Sequence, residues 1–179
     1  MLVSFIDSIT ERVEEGIRIA GARKMVDLAR LAELHFFHPR MSGSSSLNKV
    51  LPAAMASSNT LRDLYSVARY GSREMRSLNL EVPVAWWVSE SGSVIDPYSL
   101  LPPVFSGLSL VEQAAPDAEV APELAEGGAA MTAYAKLQFE TLQPDARAAI
   151  EIALKRYCEL DTLAIVMIVQ AWQGWLSGP

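Results

Sequence analysis

Tyr157 and Asp161 are the residues of this 179-residue chain whose types and spacing most suggest chemistry. Four positions apart, they fall on one face of a helix, with β-carbons roughly 5–6 Å from each other. Leu154, Leu160, Leu163 and Ile165 surround them, and a carboxylate beside that much apolar surface is costly to bury unpaired. A hard divalent cation is one partner that carboxylate oxygens select. The plainer alternative places Asp161 at a rim, satisfied by Arg156 or water, with Tyr157 in the core. By itself Y-x-x-x-D is a weak pattern.

Other constellations carry less. His35 and His38 lie three apart, but Pro39 interrupts the helix and no cysteine or third histidine accompanies them. Ser46-Leu47-Asn48-Lys49 has the S-x-x-K spacing of serine acylases without their companion motifs, and a serine run before a helix is ordinary capping. Gly43 and Lys49 make no phosphate-binding loop, because G-K-[ST] is missing. Arg40, Ser44 and Lys49, with Ser42, could touch nucleic-acid phosphates from a helix N-terminus, or serve only as cap and surface residues. Trp86-Trp87 offers stacking surface for bases, although on an alternating strand one ring turns inward to pack. Cys158, in an apolar setting, reads as a small buried residue.

The elements that would position these groups are mostly helical. Apolar spacing predicts a helix over 4–15, a second entered through a buried segment at 25–28 and stopped by Pro39, and a third from 46, bent or ended by Pro52. Further helices are expected over 60–70, 129–140 and from Asp145 towards Trp172, with Pro144 at the start of the last. Val82, Val84, Trp86 and Val88 alternate before Ser89–Ser93 turns into Val94-Ile95, the best hairpin signal. Residues from about 80 to 127 read as a loop-rich insertion.

Half of the residues are apolar and 20% charged, which excludes a disordered chain. No run approaches the roughly 20 apolar residues of a membrane span. A single cysteine and an N-terminus without a basic region favour the cytoplasm. The net charge of −6 conceals an asymmetry. From 38 to 80 six basic residues face two acidic ones, a balance of +4, whereas from 81 to 161 the acids exceed the bases by nine. That split is either ordinary surface charge or a phosphate-binding segment beside an acidic metal site.

Several blocks, in one order, resemble a bacterial domain-of-unknown-function family of the ribonuclease-H-like, proofreading-exonuclease superfamily, in its tyrosine variety. They are M-V-D-L at 25–28, F-F-H-P-R-M-S-G-S-S-S-L-N-K-V-L-P-A at 36–53, D-P-Y-S-L-L-P-P at 96–103, G-G-A-A-M-T-A-Y-A at 127–135 and R-Y-C-E-L-D-T-L-A-I-V-M-I at 156–168. The resemblance implies an α/β family fold, of which residues 1–179 form one C-terminal portion, predominantly α with a short hairpin and without the N-terminal sheet strands. It implies 3′–5′ exonuclease chemistry with Mg²⁺ or Mn²⁺, in which two metals generate a hydroxide and stabilise an in-line displacement. In that scheme Asp161 ligates a metal and Tyr157 orients the attacking water. Glu159 lies on another helix face and is outside the match. The D-x-E of the first motif is not found, since Asp7 is followed by Ser8 and Ile9. Asp27 is the one further acid in an apolar setting that could reach a metal, although it fits the M-V-D-L block better. One or two carboxylates do not hold two metals, so the chain alone is expected to be inactive. The alternative expectation is a catalytically silent module that binds nucleic acid or packs on a partner: a further copy, or the segment that completes the sheet.

Overall fold

The structure, a computed structural model, describes residues 2–101 and 125–178, and it divides into two compact units, 1–37 and 38–179. Each unit is built by a different logic.

In the first unit, α1 (Leu2–Ile9) is followed directly by an antiparallel hairpin of β1 (Glu11–Glu14) and β2 (Ile17–Ala20). The helix expected over 4–15 therefore ends six residues early. Glu15 and Gly16 both adopt positive φ, 51° and 81°, the two-residue turn whose twist matches paired strands. Ile17 and Ile19 then share one face of the hairpin at strand spacing, and Val13, paired with Arg18, lies on the other. The Gly21 amide donates to the Thr10 carbonyl at 2.9 Å, and a Cβ there would collide with the Asp7 and Ser8 backbone. α2 (Leu28–His35) is capped by Asp27, whose carboxylate accepts from the Arg30 amide at 3.0 Å. The segment before it, expected to be buried, is exposed: Met25 by 78% and Val26 by 64%.

The second unit holds the main core. A 3₁₀ turn (Pro39–Met41) leads to α3 (Leu47–Ser57) and α4 (Asn59–Tyr65). Pro52 does not end α3, which continues to Ser57 although that position lacks an amide proton. Ser58 closes α3 and caps α4, accepting from the Leu61 amide at 3.2 Å. The predicted strands at 82–95 shrink to β3 (Ser89–Glu90) and β4 (Ser93–Val94), turned at Ser91-Gly92, while residues 80–88 are held by an isolated bridge from Val84 to Tyr70. Trp86 is buried there, and Trp87 is partly buried with its Nε1 donating to the Met55 carbonyl at 3.0 Å.

Among the described residues two further helices belong to this unit, α5 (Ala125–Phe139) and the 34-residue α6 (Pro144–Ser177). Pro144 occupies the first helical position, where its missing amide costs nothing. Along α6 one stripe changes partner. Ala146 and Ile150 pack with Ala133 and Leu137 of α5, whereas residues from Leu160 to Ala171 join the core built by α3, α4 and Trp86. Tyr65 fastens the second half by donating to Gln170 Oε1 at 2.8 Å, and Gly174 makes room for Thr60. The chain is thus predominantly α with short hairpins, and no helix among the described residues is long and apolar enough to cross a membrane.

Candidate functional site

α6 places Tyr157 and Asp161 on one face, as their spacing requires. What faces them comes from the loop after β4. Asp96 caps a 3₁₀ turn (Pro97–Leu100) by accepting from the Tyr98 amide at 3.0 Å, which commits the Tyr98 ring to the interior. Tyr98 is 5% exposed, and its hydroxyl donates to Asp161 Oδ1 at 2.6 Å. Its ring lies 5.6 Å from that of Tyr157, inclined at 46°. Among the described residues no lysine or arginine forms an ion pair with Asp161, and Tyr98 supplies its hydrogen bond. Arg156, the expected counter-ion, instead donates from Nε to the Asn79 carbonyl at 2.9 Å.

The electrostatics follow from this burial. Desolvation raises the Asp161 carboxyl above its ordinary range, with the Tyr98 hydroxyl opposing. Asp96 is likewise raised by burial, opposed by the Tyr98 amide and by the charge of Lys49. Tyr98 is pushed far above a normal phenol, first by burial and then by its bond to Asp161, so it acts as a neutral donor. Lys49 thus comes within electrostatic reach of this cluster from the first turn of α3. Residues from three of the blocks noted in the sequence, at 36–53, 96–103 and 156–168, therefore share one neighbourhood.

Within the second unit, the hydrogen bonds of Ser44 and Arg40 go to other residues. Ser44 donates to Ser46 Oγ at 3.0 Å, ahead of α3, and Arg40 is exposed on the 3₁₀ turn. Asp27, in the other unit, is exposed and serves as a helix cap. His38 Nδ1 accepts from the Arg40 amide at 3.2 Å, and Cys158 is exposed rather than buried.

Asp96 and Tyr98 were not singled out by spacing, although Asp-Pro-Tyr carries the signal of a capped turn. Glu159 is the other unforeseen residue. It lies on a separate face of α6 and accepts from Tyr70 Oη at 2.7 Å and Asn79 Nδ2 at 2.5 Å. Burial alone would raise this carboxyl. Bonds from Ser77, Tyr70, Asn79 and the Leu78 amide outweigh it, leaving Glu159 below its usual value. Glu159 therefore fastens the 66–84 loop onto α6. Gly71 sustains the same loop at φ +92°, its amide bonded to the Met75 carbonyl at 2.7 Å.

As a metal site the cluster is incomplete. Among the described residues no three His, Cys, Asp or Glu side chains gather to hold an ion. Asp161 accepts from the Tyr98 hydroxyl and Asp96 from the Tyr98 amide, and two carboxylates do not make a two-metal centre. No known protein family, curated protein or solved structure matches the chain.

Proposed function

We propose that this chain is the C-terminal portion of a ribonuclease-H-like, two-metal 3′–5′ exonuclease domain, silent by itself, in which Tyr157 and Asp161 form one corner of the phosphodiesterase site. The supporting observation is the half-buried Asp161 carboxylate, which accepts from the neutral Tyr98 hydroxyl and, among the described residues, forms no ion pair. Such a carboxylate is an expensive structural element, because burial is not offset by an opposite charge. It is a reasonable ligand for Mg²⁺ or Mn²⁺, with Tyr98 fixing its orientation. The other carboxylates would come from a completing segment or partner. The residues present do not hold two ions, so no cleavage step is assigned to them.

The test is thermal unfolding with and without millimolar Mg²⁺ or Mn²⁺. Stabilisation of the wild type that vanishes in Asp161→Asn supports the reading. Identical shifts in both proteins, or none in either, would refute it.

A second reading, an interaction module completed by a partner, draws on apolar exposure. In the first unit Leu2 and Val3 are 72% and 70% exposed, and in the second Met131 and Phe139 are 76% and 88% exposed. Apolar surface on that scale favours covering by another chain. Light scattering across a concentration series separates a self-associating chain from a monomer awaiting a different partner.

A further inference from the structure

On the face of α6 that carries Glu159, an open groove of about 540 Å³ runs between the helix and the 66–84 loop. Arg76 and Leu78 line it from the loop; Lys155, Cys158 and Val166 line it from α6. At 3.6 residues per turn, Lys155 and Glu159 are each turned about 200° from Tyr157 and Asp161 respectively, so the groove is a separate surface from the Tyr98 cluster.

Its charges are unsatisfied in one sign only. Arg76 and Lys155 are exposed, and among the described residues neither forms an ion pair. The groove's acid, Glu159, already has both oxygens bonded, by Tyr70 and Asn79. Arg69 and Arg73, carried on the same loop, are also exposed and unpaired among the described residues. The groove also presents exposed apolar side chains, Leu78 by 95% and Val166 by 47%. Two cations without an ion pair along an open groove suit an extended polyanion, and the exposed apolar side chains beside them offer contact surface to unstacked bases.

We infer that this groove binds single-stranded nucleic acid, with phosphates against Arg76 and Lys155 and a base over Leu78. The site is independent of the Tyr157–Asp161 reading and stands or falls separately from it.

The experiment is fluorescence anisotropy of a labelled oligo-dT of about 12 nucleotides, a length within ordinary single-strand site sizes, titrated with the full chain at several salt concentrations. Wild type should bind, with affinity falling as salt rises. Arg76→Ala with Lys155→Ala should weaken binding on the order of tenfold and reduce the slope of log K against log salt by about 1.4, the contribution of two phosphate contacts. Leu78→Ser should bind more weakly at unchanged slope. No binding at about 50 mM salt, a double variant that keeps both affinity and slope, or competition by poly-glutamate as effective as by unlabelled oligo-dT would overturn the assignment. The three groove substitutions are at exposed positions, so circular dichroism should confirm that the variants keep the wild-type fold.

Discussion

Replacing Tyr98 with Phe removes one hydroxyl and keeps the ring that packs near Tyr157. The hydroxyl donates to a carboxylate at 2.6 Å from a residue only 5% exposed. A hydrogen bond to a charged group is worth about 1.5–3 kcal/mol, against about 0.5–1.5 kcal/mol between neutral partners. For a chain of this size, 1 kcal/mol moves Tm by about 2–4 °C, so Tyr98→Phe should lower Tm by about 3–12 °C at pH 7. The sign of the pH dependence is fixed by the linkage. Tyr98 lowers the Asp161 pKa, opposing the larger upward effect of burial, so its bond is strongest when Asp161 is ionised. The stability that Tyr98 contributes is therefore fully present at neutral pH and shrinks as acid protonates Asp161. Urea unfolding at pH 7 and near pH 3.5 should show the cost of Tyr98→Phe falling by about half, to the neutral-partner value. In an Asp161→Asn background the same substitution should cost the smaller amount at both pH values, a coupling of about 1 kcal/mol. A cost that is equal at both pH values and unchanged by Asp161→Asn would refute the placement of the hydroxyl on this carboxylate.

Three other outcomes follow from the same structure. Asp161 has a raised folded-state pKa, so its contribution to stability is present below the unfolded carboxylate value and is lost as pH rises through the folded one. Asp161→Asn should accordingly gain stability relative to wild type as the pH of calorimetric scans moves from acid to neutral in metal-free buffer. Glu159 has the opposite sign: its lowered pKa gives stability above the unfolded value that is lost on acidification through the folded one. Glu159→Ala should cost about 2–4 kcal/mol at pH 7, since it strands Tyr70 and Asn79, and hydrogen exchange should accelerate at the Gly71 and Val84 amides, which are bonded within the loop it fastens. Gly71→Ala should cost about 1–3 kcal/mol in urea unfolding, because φ is +92° and the new Cβ would sit 3.3 Å from the Val82 carbonyl.

The elements legible in the sequence were those with a strong local rule behind them. Pro144 announced α6, and Ser91-Gly92 announced the β3–β4 turn. Where two rules competed, the tertiary or turn chemistry prevailed. Glu15-Gly16 turned an apparent helix into a hairpin, because apolar residues in a short window satisfy either period and the left-handed turn decides between them. Tyr157 and Asp161 were legible as a pair because spacing four is a property of the helix itself. Their partner was not, since Tyr98 lies 63 positions from Asp161 and nothing local to either links them. The same distinction separates the two faces of α6. The Tyr98 face half-buries Asp161 without an ion pair, the charge of Lys49 acting on Asp96, while the Glu159 face satisfies its acid with neutral donors and, among the described residues, leaves Arg76 and Lys155 without an ion pair. A cation on the first face and a polyanion on the second would each relieve an imbalance that the folded chain does not correct by itself.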